Sequence, residues 1–143
     1  MIKGIILDAG PLGKIAHPRP NPDFIDWFKR LLMAGYRVIL PEIADYEVRR
    51  SLLHKELNES IKRLNRLKEE FDYLPLDTET MLLAAEFWAH ARKIGKPTAD
   101  PHELDCDVIL AAQARRSGAT VVTENIGHLS LFVKAKNWNE IAV

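Results

Sequence analysis

Cysteine is nearly absent from this chain of 143 residues, which contains only Cys106. A single thiol excludes an internal disulfide framework and a cysteine-ligated zinc site. It also fits the reducing cytoplasm, which is the location we expect. No run of about 18 apolar residues occurs, so no membrane-spanning helix is predicted. The apolar run at the amino terminus meets Asp8 too soon for a secretory signal, which needs a longer core and a cleavage site.

An excess of charge of either sign is also lacking, because 20 Lys and Arg balance 20 Asp and Glu. A neutral chain has no global basic field, so any binding of nucleic acid must use a local patch. Hydrophobic residues make up 47% of the sequence, which excludes a disordered tail and is enough for a buried core. The sequence shows no repeat and no linker, and we predict one domain over residues 1–143.

Short apolar segments alternate with helical patterns along the chain. The patterns predict strands at residues 5–7, 36–40, 73–76, 119–123 and 138–142, a loop at 96–102, and helices over 22–34, 41–67 with a break near 58, 78–94 and 104–117. Strands that are separated by helices pair in parallel through right-handed crossovers. The expected fold class is therefore α/β, a three-layer α/β/α domain around a central, mainly parallel sheet of about five strands.

Acidic and amide side chains follow the predicted strands. Asp8 directly follows the first strand, Glu47 lies in the helix after the second, and Asn125 follows the fourth. Asp107 has apolar neighbours at helical spacing, whereas Asp105 fits a helix cap or a supporting position better. Because ligands bind where the carboxyl ends of parallel strands meet, we expect all of these side chains except that of Asp105 to form one site.

Each of these residues also has a structural interpretation. An Asp at a strand end caps a turn, a helical Glu lies exposed, an Asp in a first turn accepts from backbone N–H groups, and an Asn occupies a turn. Thr123 and Glu124 flank Asn125 and are candidates for positioning a substrate or a water molecule. Cys106 is interpreted as a small buried apolar residue.

Several acids at one edge of a sheet repel one another. Two unit charges about 4 Å apart cost about 4 kcal/mol at an effective dielectric constant of about 20. Either some of these acids are protonated or a cation lies between them. Oxygen ligands without cysteine favour a hard ion, so Mg²⁺ or Mn²⁺ is the expected cofactor.

Four segments, taken together, resemble the motifs of PIN-domain nucleases. Residues 5–12 (IILDAGPL) resemble the opening of the family, an apolar strand that ends in Asp and a small-residue turn. Residues 40–48 (LPEIADYEV) resemble the second motif, and residues 107–114 (DVILAAQA) resemble the third, an Asp that opens an alanine-rich helix. Residues 120–129 (TVVTENIGHL) resemble the fourth, a strand followed by Thr-x-Asn. Their order and rough spacing match the family over nearly the whole chain.

The resemblance implies a metal-dependent endoribonuclease that hydrolyses RNA, often the toxin of a VapC-type toxin–antitoxin pair. It implies an antitoxin protein as a partner and commonly a homodimer. Asp8, Glu47 and Asp107 would be the metal-binding and catalytic acids, with Asn125 also at the catalytic centre. Many relatives have an acid where His128 stands, so the number of metal ions is open, and His128 has either a structural role or a contact with water or phosphate.

Other functions remain open on this sequence. A non-catalytic RNA- or protein-binding module can use the same fold. A phosphatase-like hydrolase would need an Asp-x-Asp motif at Asp8, and this spacing is absent because residue 10 is Gly. Basic residues cluster within residues 49–68 and at Arg115 and Arg116, either as a solvated face paired with neighbouring acids or as a local phosphate-binding wall.

Overall fold

The computed structural model describes residues 3–95 and 101–143, with side chains described throughout except at residues 101–103. Within these residues the strands are β1 (Gly4–Leu7), β2 (Arg37–Pro41), β3 (Asp72–Leu74), β4 (Thr120–Val122) and β5 (Ala135–Lys136). The helices are α1 (Ala9–Ala16), α2 (Pro22–Met33), α3 (Glu42–His54), α4 (Asn58–Glu70), α5 (Thr78–Lys93), α6 (Pro101–Ser117) and α7 (Ile126–Leu129). A 3₁₀ turn follows at Trp138–Glu140.

The five strands form one sheet in the order β3–β2–β1–β4–β5, and every neighbouring pair is parallel. The central strand, β1, pairs with both β2 and β4, so the chain extends the sheet first to one side and then to the other. Such a reversal opens a crevice at the carboxyl ends of the strands. The predicted α/β class and the parallel sheet are confirmed.

Alternate residues of the strands face two separate halves of the core. On β1, Ile5 and Leu7 pack in one cluster, which receives side chains from α1, α2, α3 and α4. Ile6 points to the other face and packs in a second cluster with Val121 of β4 and with side chains from α5 and α6. Period-two alternation with both faces buried is what a sheet between two helical layers requires. The three-layer arrangement is thereby confirmed.

Polar caps set the beginnings of two predicted helices. The Asn21 side chain accepts hydrogen bonds from the backbone N–H groups of Asp23 and Phe24, and Pro22 occupies the first turn of α2. The Asp77 side chain accepts from the Thr80 N–H at 2.8 Å and begins α5. Gly118, with φ of 72°, follows the end of α6 in the left-handed conformation that glycine favours.

Three predictions about the elements need correction or qualification. The small-residue turn expected after Asp8 is instead the beginning of α1, an eight-residue helix. The strand predicted at residues 138–142 is wrong, because β5 lies earlier and a 3₁₀ turn capped by Asn137 and Glu140 takes its place. Of the loop predicted at residues 96–102, residues 96–100 lie outside the described part of the chain, whereas α6 already begins at Pro101.

Across residues 3–95 and 101–143, no helix is both long enough and apolar enough to cross a membrane.

Candidate active site

A cleft of about 170 Å³ opens at the carboxyl ends of β1 and β4. Carboxylates from three helical segments converge on it, together with one amide, one imidazole, one thiol and one guanidinium. Its lining residues are Asp8, Ala9, Gly10, Glu47, Arg50, Cys106, Asp107, Asn125 and His128. All four residues predicted to be catalytic therefore line one cavity.

Asp8 is held rigidly at the junction of β1 and α1. Its backbone N–H donates to the Val122 carbonyl at 3.0 Å, which continues the pairing of β1 with β4. Its carboxylate accepts from the Ala9 N–H at 2.7 Å and caps α1. The Thr123 hydroxyl donates to the second carboxylate oxygen at 2.7 Å. Asp8 therefore has the cap role expected of a strand-end Asp and also faces the cleft.

Burial raises the pKa of Asp8 above its ordinary value of 3.8, because the charged form loses hydration. Hydrogen bonds from the Thr123 hydroxyl and the Ala9 N–H act in the opposite direction, since both stabilise the carboxylate. The nearby charge of Glu124 adds to the increase. The negative charge on Asp8 is thus only partly compensated by the protein.

Glu47 lies in the second turn of α3 and is half-buried. The start of α3 is fixed from the far side, because the Gln113 side chain accepts from the Ile43 N–H and donates to the Leu74 carbonyl. Burial is the largest cause of a rise in the pKa of Glu47 from 4.5 to about 7, and the charges of Asp8 and Asp107 add to it. Electrostatic repulsion among the acids, expected from the sequence, is therefore present in the fold.

Asp107 lies on α6 and reaches His128 of α7. The distance from its Oδ2 atom to the His128 Nδ1 atom is 3.3 Å, and the Asp107 side chain is only 14% exposed. His128 thus stands against one of the candidate ligands, where it can hold the carboxylate in place. This contact agrees with the structural role that the sequence left open for His128.

Thr123 links the two strand ends that border the cleft. It is fully buried, and its hydroxyl accepts from the Asn125 N–H at 2.9 Å while it donates to Asp8. Asn125 itself begins α7 and is exposed in the cleft. Glu124 lies outside the lining and forms an ion pair with Lys14 on α1. Thr123 therefore positions Asp8, and Asn125 is free to contact a ligand through its side chain.

Asp105 does not have the role predicted for it. Because α6 begins at Pro101, Asp105 lies in the second turn and cannot be the helix cap. It is exposed and lines a different groove, with Met81 and Trp88 of α5. The prediction was wrong because it placed the helix start at Leu104, the first apolar position. The helix α6 begins three residues earlier.

Two further residues of the cleft were missed. Cys106 is half-buried rather than fully buried, lines the cleft and shares a hydrogen bond with Glu47, and burial raises the pKa of its thiol to about 11. Arg50 is exposed, lies one helical turn after Glu47, and stacks over the Tyr46 ring at 5.0 Å from its centroid. The Glu47–Arg50 spacing of three residues places both on one helix face, and this was the signal available for Arg50.

Most other members of the basic cluster are engaged within the protein. Arg49 pairs with Asp45 at 3.0 Å, and Lys68 approaches the same carboxylate at 3.8 Å. Arg63 donates to a backbone carbonyl, as does Arg115. Over the described residues, Arg50 is the member of the cluster that lines the cleft. Arg49 and Lys68 are therefore paired with an acid, but that acid, Asp45, is buried and is not part of a solvated face. The phosphate-binding interpretation stays open for Arg50.

The sequence model of the PIN domain family matches residues 5–130, a segment that contains every residue of the cleft lining. The chain belongs to the PIN domain family. The resemblance of the four motifs is thereby confirmed at the level of the family.

Solved structures support this PIN fold. The structure of VapBC2 from Rickettsia felis, bound to a DNA fragment from their promoter, aligns with a TM-score of 0.77 at 14% identity, over 94% of this chain and 98% of that one. FitAcB from Neisseria gonorrhoeae aligns with a TM-score of 0.68 at 25% identity, over 96% and 99%. VapBC-1 from nontypeable Haemophilus influenzae aligns with a TM-score of 0.73 at 17% identity, over 95% and 98%. No curated protein sequence matches the chain significantly.

The acids of this PIN domain do not form a ready-made metal cage. Within the part of the chain that the structure describes, no three Asp, Glu, His or Cys side chains lie close enough together to hold a metal ion as they stand. Burial is the largest cause of the raised pKa values of Asp8 and Glu47, so both carboxyl groups favour the protonated form more than they would in water. Any ion that binds here must draw the side chains inwards.

We expect the metal-free PIN domain to lose stability as the pH rises from about 5 to about 7.5. Folding raises the pKa of Glu47 from 4.5 to about 7, so the folded state holds a proton that the unfolded chain releases in this window. Stability therefore falls with rising pH. The loss should be about 1–2 kcal/mol, less than the full shift implies because the side chain is only half-buried. Urea unfolding in EDTA at several pH values measures it.

Glu47→Gln provides the comparison for this pH dependence. It keeps the size of the side chain and removes the titrating group, so it should flatten the profile over the same pH range. Glu86→Gln, on an exposed position of α5, should leave the profile unchanged. A wild-type profile that rises with pH would contradict the burial of a protonated Glu47.

Proposed function

We propose that this protein is a metal-dependent endoribonuclease that hydrolyses RNA phosphodiester bonds, as the toxin of a toxin–antitoxin pair. One observation carries the proposal, the convergence of Asp8, Glu47 and Asp107 in one cleft of a PIN domain. Nuclease activity is general in this family. The structural neighbours named above are toxin–antitoxin complexes, which supports an antitoxin as the partner.

The donor set of the cleft fits Mg²⁺ or Mn²⁺. Asp8, Glu47 and Asp107 would hold the ion through carboxylate oxygens, the ligands that hard divalent cations prefer. Burial raises the pKa values of Asp8 and Glu47, and a bound cation would oppose this rise by stabilising their charged forms. When bound, the ion would acidify a water molecule and offset charge on the phosphate.

The side chains of the cleft would have different roles in the reaction. One of the carboxylates of the cleft can accept a proton from the attacking water. Thr123 holds the Asp8 carboxylate in one orientation through its hydroxyl. His128 braces Asp107 from α7, and the exposed Asn125 amide can orient the water or the substrate backbone. The result would be attack by water on phosphorus, with the ribose oxygen as the leaving group and without a covalent enzyme intermediate.

A non-catalytic RNA- or protein-binding module is the second candidate. The fold allows it, because a fold does not fix a function. Cleavage separates the two candidates. The nuclease should cut a pooled RNA library with Mg²⁺ or Mn²⁺ and stop in EDTA, whereas the module should bind RNA or protein without cutting.

We expect Mn²⁺ to bind saturably to the wild type, and Asp107→Asn to weaken the affinity at least about tenfold because it removes one anionic ligand. Calorimetric titration measures the affinity. Asp105→Asn is the matched control, since Asp105 lies on the same helix but lines another groove, and its affinity should equal that of the wild type. Equal binding by the wild type and an Asp8→Asn/Asp107→Asn double variant would end the metal assignment.

The homodimer stays a prediction. Leu64, part of the apolar stretch that suggested it, is instead fully buried in the core. Leu53 and Leu57 are exposed at 58% and 46%, at the junction of α3 and α4, and Tyr46 is exposed on α3. These side chains are candidates for contact with a second copy or with the antitoxin. Light scattering at micromolar concentration decides between a monomeric and a dimeric mass.

A further inference from the structure

A basic groove lies next to the acidic cleft. We call it the α1 groove; it has a volume of about 340 Å³ and is lined by Gly10, Gly13, Lys14, His17, Arg19, Pro20 and Asn21. Gly10 also lines the acidic cleft, so the two cavities share one wall. No carboxylate appears among the described residues that line the groove. A strand that leaves the cleft past Gly10 would therefore pass the Glu124 carboxylate, whose charge is offset by its ion pair with Lys14, and would then meet neutral and basic groups.

The basic groups of the groove differ in how far their charges are offset. Lys14 forms an ion pair with Glu124, which reduces the charge that it offers. Arg19 is exposed, and its backbone N–H donates to the His17 Nδ1 atom at 2.9 Å. That hydrogen bond fixes the segment between α1 and α2 from which Arg19 projects. Arg19 is thus the stronger candidate for contact with an anion.

A second exposed cation lies on the other helix that borders the cleft. Arg50 of α3 stacks on the Tyr46 ring, which restricts the guanidinium without covering it. Arg50 is attracted by the Glu47 carboxylate and bonded to the Tyr46 side chain, but the described ion pairs within 4.0 Å do not include it. A planar guanidinium held in this way is suited to paired hydrogen bonds with phosphate oxygens.

Gly10 lies between the two cavities. The Glu124 carboxyl group lies 3.7 Å from the position that a Cβ atom on Gly10 would take, which is an ordinary van der Waals contact, so a group as small as a methyl meets no steric block at this position. The seven residue steps from Gly10 to His17, the C-cap of α1, span about 10 Å. Arg50 and the α1 groove therefore both border the cleft that contains the acids, and the groove continues from the cleft along α1.

We propose that a single RNA strand crosses the cleft from Arg50, passes Gly10 and follows the α1 groove to Arg19. The proposal rests on the proposed nuclease function and deepens it. Arg50 would contact the phosphate on one side of the scissile bond, and Arg19 a phosphate on the other side. A cleft of about 170 Å³ admits one phosphodiester group but not a duplex, which favours a single strand. Cations spaced on both sides of an acidic centre match a chain with regularly repeated phosphates.

The test measures the affinity of a fluorescent 12-nucleotide RNA pool by anisotropy, in EDTA to prevent cleavage, between 50 and 200 mM salt. Arg50→Ala and Arg19→Ala should each weaken binding about threefold to tenfold and reduce the log–log salt slope by about 0.7, the value for one contact with a single strand. Lys14→Ala should have a smaller effect because Glu124 already offsets its charge.

Arg92→Ala is the matched control, because Arg92 also stacks on an aromatic ring, at 5.4 Å from the Trp88 centroid, but on α5 outside both cavities. It should leave the affinity and the slope unchanged. Wild-type slopes in both Arg50→Ala and Arg19→Ala would overturn the path. Tighter binding of a polyglutamate peptide than of RNA at the same residues would also overturn it and assign the surface to an acidic protein.

Failure of the path and failure of the nuclease function give different results. If the wild type cleaves RNA and both arginine variants keep its KM, the path is wrong and the function stands. If RNA binding depends on Arg19 and Arg50 but no RNA is cleaved with Mg²⁺ or Mn²⁺, the path stands and hydrolysis is wrong.

Discussion

Asp8→Asn is expected to reduce metal-dependent cleavage of RNA at least about a thousandfold. The carboxylate is the best-fixed acid of the cleft, with hydrogen bonds from Thr123 and Ala9. Its amide replacement keeps the shape and removes the charge that would hold the cation. A thousandfold loss corresponds to about 4 kcal/mol of transition-state stabilisation, a magnitude within the reach of metal-assisted catalysis. Single-turnover cleavage of a pooled RNA library measures the rate.

Stability is the control for this substitution. Burial makes the charged form of Asp8 costly in the folded state, whereas an amide can accept only one of the two hydrogen bonds from Ala9 and Thr123. The two effects oppose each other, so the stability of Asp8→Asn should lie within about 1 kcal/mol of the wild type without metal. An inactive but stable variant therefore isolates the chemistry. Residual activity above a few per cent of the wild type, in repeated preparations, would show that the site is misassigned or that another nuclease is present.

The fold could be predicted because its strongest signals are local. Helix starts at Asn21 and Asp77 follow from side-chain caps that bond to the next turn, and both were placed correctly. Ile5 to Leu7 is a short apolar run, typical of a strand buried on both faces, and β1 is the central strand. Alternation of such runs with helices is enough to specify a parallel sheet.

The missed elements depend on contacts that are distant in sequence. Gly10, Pro11 and Gly13 make α1 a poor helix by propensity, yet Leu12 and Ile15 are buried against the core and hold it in place. At the carboxyl end, Trp138 packs against aromatic rings of α2 and stabilises a 3₁₀ turn instead of a strand. Tertiary packing outweighs local pattern in both segments.

The candidate site shows the same difference between residues that local patterns place and residues that depend on distant contacts. Strand-end positions placed Asp8 and Asn125 at one edge, and helical spacing placed Glu47 and Asp107 close enough to share a cleft. The contact of Cys106 with Glu47 joins α6 to α3, a proximity that no spacing in the sequence encodes. Sequence reasoning thus finds residues that follow from the topology and misses those that depend on how two helices pack.

Phe24→Ala should lower the free energy of unfolding by about 3–5 kcal/mol, the range for loss of a buried aromatic side chain. Phe24 of α2 is 1% exposed and lies 5.6 Å from the Trp27 ring centroid and 5.5 Å from that of Trp138. Its removal leaves a cavity where α2, β1 and the carboxyl-terminal 3₁₀ turn meet. Urea unfolding followed by tryptophan fluorescence measures the change.

Phe24→Leu is the graded comparison, because it keeps much of the apolar volume and should lose less than half as much stability. Phe24 lies outside the cleft lining, so Phe24→Ala that remains folded at low temperature should bind Mn²⁺ as the wild type does. Asp8→Asn should show the reverse, with stability kept and activity lost. A change of less than about 1 kcal/mol in Phe24→Ala would mean that the aromatic cluster of α2 contributes little, and that the carboxyl-terminal segment is held by its hydrogen bonds to Trp27 and Arg30 instead.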